Sequence, residues 1–88
     1  MSEPELRAAI EEIRSELARA KGLTESSRES LRRLAAKLEA RLGRPGSQPE
    51  VDSLRHEFAD WMRELEASHP RLSGTIGRVV DTLAFFNL

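Results

Sequence analysis

The chain has no cysteine, no tyrosine, one tryptophan and three phenylalanines among its 88 residues. Without cysteine, no disulfide staples the fold and no thiolate is on hand to bind zinc. With aromatic residues at 5% and β-branched residues sparse, a sheet has little from which to build its faces. Long apolar runs are missing too. The longest, Leu83-Ala84-Phe85-Phe86, is far too short to span a bilayer. Nor is there an excess of one charge: fourteen basic residues face fifteen acidic ones, and the net charge of −1 offers no global attraction to nucleic acid or an anionic membrane. The opening Met1-Ser2-Glu3-Pro4-Glu5 is acidic where a secretion signal is basic, so the cytoplasm is the expected location.

What is present is helix-forming. Ala, Leu, Glu and Arg dominate, and charged residues reach 33%. One all-α domain over residues 1–88 is expected, small enough to be only marginally stable alone. The patterning predicts helices over about 3–21, 25–42, 48–68 and 70–86, with a loop at 43–47. Ser2 with Glu5, and Ser47 with Glu50, have capping-box spacing. Leu6, Ile10, Ile13, Leu17 and Ala20 form one seam of coiled-coil type. Gly22 supplies a left-handed stop, and Thr24 or Ser26 caps the next helix. The second seam is Leu31, Leu34, Leu38 and Leu42, with Ala35 beside it and Gly43 as the stop. The short turn between the two makes an antiparallel helical hairpin.

The third helix carries Val51, Leu54, Phe58, Trp61, Met62 and Leu65 before the chain reaches Ser68-His69-Pro70. Proline removes a donor and clashes with the carbonyl four residues back, so the helix kinks or breaks there. Phe58, Leu65, Leu72, Val79 and Phe86 are each seven apart, so the seam keeps its phase through Pro70. That favours a bent but continuous helix of roughly 55–60 Å, about twice what the hairpin can cover. Its uncovered end carries Leu72, Ile76, Val79, Val80, Leu83, Phe85, Phe86 and Leu88, the candidate self-association surface, with a twofold dimer completing the bundle. The specific rival is a chain that folds back at Pro70 onto its own hairpin. Gly74 and Gly77, with Ser73 and Ala84 near them, are candidates for close helix packing that offsets about 1 kcal/mol of helix propensity per glycine. Asn87 sits where a left-handed C-terminal cap would stand.

The C-terminal residues also carry a resemblance. Phe58, the run Glu66-Ala67-Ser68-His69-Pro70-Arg71-Leu72-Ser73, then Ile76-Gly77 and Leu83-Ala84-Phe85-Phe86-Asn87-Leu88, resemble a bacterial family of short proteins known as domain of unknown function 4404. Members close with a His-Pro-x-Leu segment and a tail like Leu-Ala-Asn-Met-Gly-Ile. Here Phe85-Phe86-Asn87 stands for Asn-Met-Gly, which makes the tail more apolar. The resemblance implies a helical fold and a bacterial source, and no activity.

No catalytic, metal or cofactor constellation stands out. His56-Glu57 with Asp60 resembles part of a zinc-protease helix but lacks its second histidine. His69 reads as a structural residue that caps the following segment or satisfies a carbonyl freed by the proline. Gly74-Thr75-Ile76-Gly77 has the form of a nucleic-acid clamp loop without the strands around it. From Arg28 to Arg44 there are six basic and two acidic residues; from Pro45 to His69 there are six acidic and two basic. Arg28, Arg32, Arg33, Lys37, Arg41 and Arg44 thus form a basic stripe on the second helix that complements the acidic third. The expected function is a homo-oligomeric protein-interaction or scaffold module, not an enzyme and without cofactor. The alternative is a nucleic-acid-associated regulator using the basic stripe, which its lack of interleaved aromatics disfavours.

Overall fold

The computed structural model describes residues 3–42 and 48–85, apart from the Gln48 side chain. Four helices follow in order: α1 Glu3–Arg19, α2 Glu25–Arg41, α3 Gln48–Leu65 and α4 Pro70–Ala84. Among the described residues there is no strand. Ser2, the 43–47 loop with Ser47, and Asn87 lie outside the described residues.

Each helix follows from its apolar spacing. α1 buries Leu6, Ile10, Ile13 and Leu17, and α2 buries Leu31, Leu34, Ala35 and Leu38. These are the steps of three and four that put side chains on one helical face. Gly22 takes φ +82° in the turn between them, a conformation that costs glycine little. Thr24 then caps α2, its side-chain oxygen accepting from the Ser27 N–H at 3.0 Å.

The long bent helix does not form. The chain turns through Glu66–Ser68, and α4 starts afresh at Pro70. The reason is local: proline has no N–H to donate and is at ease only in a helix's first turn. α4 then lies back along α3, the most extensive pairing among the described residues, and also packs against α1. The molecule measures 36 × 21 × 19 Å, too short for a helix of roughly 55–60 Å. Its radius of gyration, 12.2 Å, is that of a closed domain of this length, about 12 Å.

The helices form a ring in which α1 touches α2, α2 touches α3, α3 touches α4, and α4 returns to α1. Among the described residues the backbones of the diagonal pairs do not approach each other as neighbours. Neighbours run antiparallel. The α1–α2 and α3–α4 turns share one end of the bundle, and the end of α2, the start of α3 and the end of α4 share the other. Inside the ring, Phe58 and Val51 from α3 and Leu72, Ile76, Val79 and Leu83 from α4 join the two hairpin seams in one core. Trp61 and Met62, expected on the seam, are only half-buried and pack against the core from outside.

Candidate functional site

The residues predicted for self-association divide. Leu72, Ile76, Val79 and Leu83 are at most 3% exposed, spent inside the chain because the reversal at Pro70 gives α4 two intramolecular partners. They therefore form no exposed surface for a second copy. Val80 is half-buried. Phe85, just past the end of α4, is 80% exposed, the one exposed large hydrophobic among the described residues. Phe86 and Leu88 lie outside the described residues.

The two glycines divide as well. A Cβ on Gly77 would stand 3.2 Å from the Met62 Sδ, so this glycine sits in the tight α3–α4 seam. Next to it the Ser73 hydroxyl donates to the Met62 carbonyl at 2.7 Å. That bond satisfies one of the four carbonyls that a helix end leaves open. Gly74 faces open space, with nothing within 4 Å of an added Cβ, and takes no part in helix packing.

Polar clasps hold the other three seams. Arg14 on α1 grips Glu39 on α2 with two nearly parallel bonds of 2.9 and 3.2 Å. Arg41 on α2, 2% exposed, meets Glu50 on α3 at 2.8 Å. Arg78 on α4 meets Glu12 on α1 at 2.6 Å, and the Thr75 hydroxyl donates to the same carboxylate at 3.2 Å. The bond from Arg78 holds the Glu12 carboxyl below its ordinary value of 4.5, and the bond from Arg14 does the same for Glu39.

A carboxyl whose folded value is depressed stabilises the fold above the unfolded value, and that contribution is lost as pH falls through the folded one. Thermal melts are expected to keep a steady midpoint above pH 4.5 and to lose it progressively below. In the double variant Arg14→Gln, Arg78→Gln the decline should be shallower. An identical acid profile would show that neither clasp contributes.

The end carrying the two short turns is pinned by side chains reaching backbone. Arg28 donates to the carbonyls of Leu17 and Ala20, the latter at 3.2 Å, and so closes the C-terminus of α1 from α2. His69 stands at the N-cap of α4, its carbonyl accepting from the Ser73 N–H at 2.9 Å, but its side chain makes no capping bond. Its Nε2 lies 2.7 Å from the Lys21 carbonyl in the other turn, and its Nδ1 lies 3.0 Å from the Ser68 hydroxyl. A carbonyl only accepts, so Nε2 carries a proton and donates. His56 lies 2.7 Å from the Asp52 carbonyl through Nδ1, one turn back on an exposed helix face. Among the described residues no three histidine or carboxylate side chains gather as a metal site, and no helix is long and apolar enough to cross a membrane.

The basic stripe is thinner than its sequence. Arg28 and Arg41 turn inward, and Arg32 stands 4.0 Å from Glu29. Arg33 and Lys37 remain exposed on the α2–α3 seam, where they line a shallow groove beside Glu57 and Trp61. The basic and acidic helices do neighbour each other, as their charges suggest.

Two buried charges escaped sequence reading, Glu16 and Arg41, at 7% and 2% exposure. Both obey the apolar spacing: Glu16 stands three after Ile13, and Arg41 three after Leu38. Periodicity alone marks these positions as inward, whatever residue fills them.

The sequence model of the family described as Domain of unknown function (DUF4404) matches residues 6–86. No curated protein and no solved structure matches the chain.

Proposed function

The chain belongs to the family of DUF4404 domains, and for a member with this geometry we propose a non-catalytic role as a homo-oligomeric protein-interaction or scaffold module, docked through the end of α4. The exposure of Phe85 carries this reading. Every other large apolar residue described on α4 is buried or half-buried, while this ring stands 80% in water. Burying one aromatic ring recovers about 1.5–3 kcal/mol. A twofold contact buries the same ring twice, because residue and partner residue are the same. A domain of this size has little core of its own and gains stability from association.

Light scattering on the eluting protein tests it. At roughly 100 μM, a concentration that saturates even a Kd of several micromolar, the wild type should run as a dimer. Phe85→Asp should run as a monomer with unchanged helicity, since the ring takes no part in the core. A wild type that stays monomeric would sink the reading. A nucleic-acid-associated role for α2 has less support, with Arg28 and Arg41 engaged inward. It predicts retardation of duplex or single-stranded probes that fades steeply with salt.

A further inference from the structure

At the end of the bundle opposite Phe85, a pocket of about 230 Å³ lies between the last turn of α1 and the first turn of α4. Ala20, Pro70 and Leu72 give it apolar walls. Glu16 lines it from α1, and this residue is 93% buried, being 7% exposed. Its Oε1 is sealed from solvent and has no hydrogen-bond partner among the described residues. A buried carboxylate oxygen without a donor is costly and uncommon in folded proteins.

The opposite wall has the opposite sign. α4 begins at Pro70 with no acidic residue in its first turn and no side-chain cap, so nothing on α4 itself offsets the positive end of its dipole. Arg71, in that first turn, and Arg19, on α1, line the same pocket and are exposed. His69 also lines it, but its Nε2 is committed to the Lys21 carbonyl.

A plain cation drawn to Glu16 would meet two guanidinium groups and a helix N-terminus. A plain anion drawn to those would meet Glu16. A ligand carrying both charges on adjacent carbons satisfies the two poles together, and the volume lies below the usual range for larger ligands. We propose that this pocket binds a free α-amino acid with an aliphatic side chain. Its ammonium draws the Glu16 carboxylate round from its sealed position to accept from it, its carboxylate lies at the start of α4 with Arg71, and its side chain lies against Pro70 and Leu72. This site is independent of the self-association reading.

L-leucine is the probe, titrated into the full chain while the amide resonances of Ala20 and Leu72 are followed. Saturable shifts are expected. Leucinamide, which lacks the carboxylate, and 4-methylpentanoate, which lacks the ammonium, should each bind at least about tenfold more weakly. Glu16→Gln and the exposed Arg71→Glu should each weaken leucine by a similar factor while helicity stays unchanged. Absence of saturation by roughly 20 mM leucine would overturn the proposal. So would leucinamide or 4-methylpentanoate binding as well as leucine, since the site would then read one charge only. Unchanged leucine binding by Glu16→Gln would overturn it as well.

Discussion

Ile76→Asp is expected to unfold the chain and not to yield a soluble helical monomer. The side chain is fully buried between α4 and its neighbours. Removing it from the core forfeits about 1.5–3 kcal/mol of apolar burial. The carboxylate put in its place meets no donor there, and an uncompensated buried charge adds about 3–5 kcal/mol more. A domain of this length holds only about 4–13 kcal/mol in total. Loss of the far-ultraviolet helical signal near room temperature is therefore expected. The contrast with Phe85→Asp matters most: both replace an apolar residue of the same C-terminal segment with the same acid. If Ile76→Asp stayed helical with an unchanged melting midpoint, Ile76 would not lie in the core of the chain.

The second large effect is expected three residues apart on one helix. Gly77→Leu should destabilise the fold, whereas Gly74→Leu should stabilise it. At Gly77 even a Cβ stands 3.2 Å from the Met62 Sδ, a flexible tip that can yield to one methyl group but not to a whole isobutyl group. Leucine there forces α3 and α4 apart, at about 1–3 kcal/mol for overpacking. The parting also breaks the Ser73 bond to the Met62 carbonyl, worth about 1 kcal/mol. At Gly74 nothing lies within 4 Å, so the substitution only removes glycine's cost in a helix, about 0.5–1 kcal/mol. For a chain this short, each kcal/mol moves the melting midpoint by about 4–8 °C. Both variants lose glycine's helix cost alike, so overpacking and the lost bond, about 2–4 kcal/mol together, set the difference, and the two should melt about 8–32 °C apart. Equal midpoints would mean that α3 and α4 do not pack closely.

Much of the fold is legible in the residues because helical periodicity is a local signal. Leu6, Ile10, Ile13 and Leu17 need only their own spacing to be placed inward. Gly22 and Thr24 announce a stop and a start through backbone chemistry that acts over a few residues. The direction of the chain after Pro70 is not local. The heptad of Phe58, Leu65, Leu72 and Val79 suits a continuous helix, yet all four enter one core on a reversed chain. A seam facing inward on α3 and inward again on α4 has the same phase in both cases. The signal that separates them was the proline itself, whose place at the start of a helix is more comfortable than its place within one.

The candidate surface was legible to the same limited extent. Which of Leu72, Ile76, Val79, Val80, Leu83 and Phe85 stay outside depends on where α1 and α3 lie, and only Phe85 escapes both. His69 shows the same limit in a polar group. Its partner is the carbonyl of Lys21, forty-eight positions earlier, and no spacing rule reaches that far.

The ring of helices has a kinetic consequence. Three of its four seams join helices that are consecutive in sequence, so they can form as hairpins with little loop-closure cost. The α1–α4 seam alone joins the two ends, through Glu12 with Arg78 and Thr75, and His69 reaches Lys21 at the same closure. Those contacts span separations of 66, 63 and 48 residues. The three consecutive seams are therefore expected to form first, and the strip that seals α1 against α4 to close last, like a clasp.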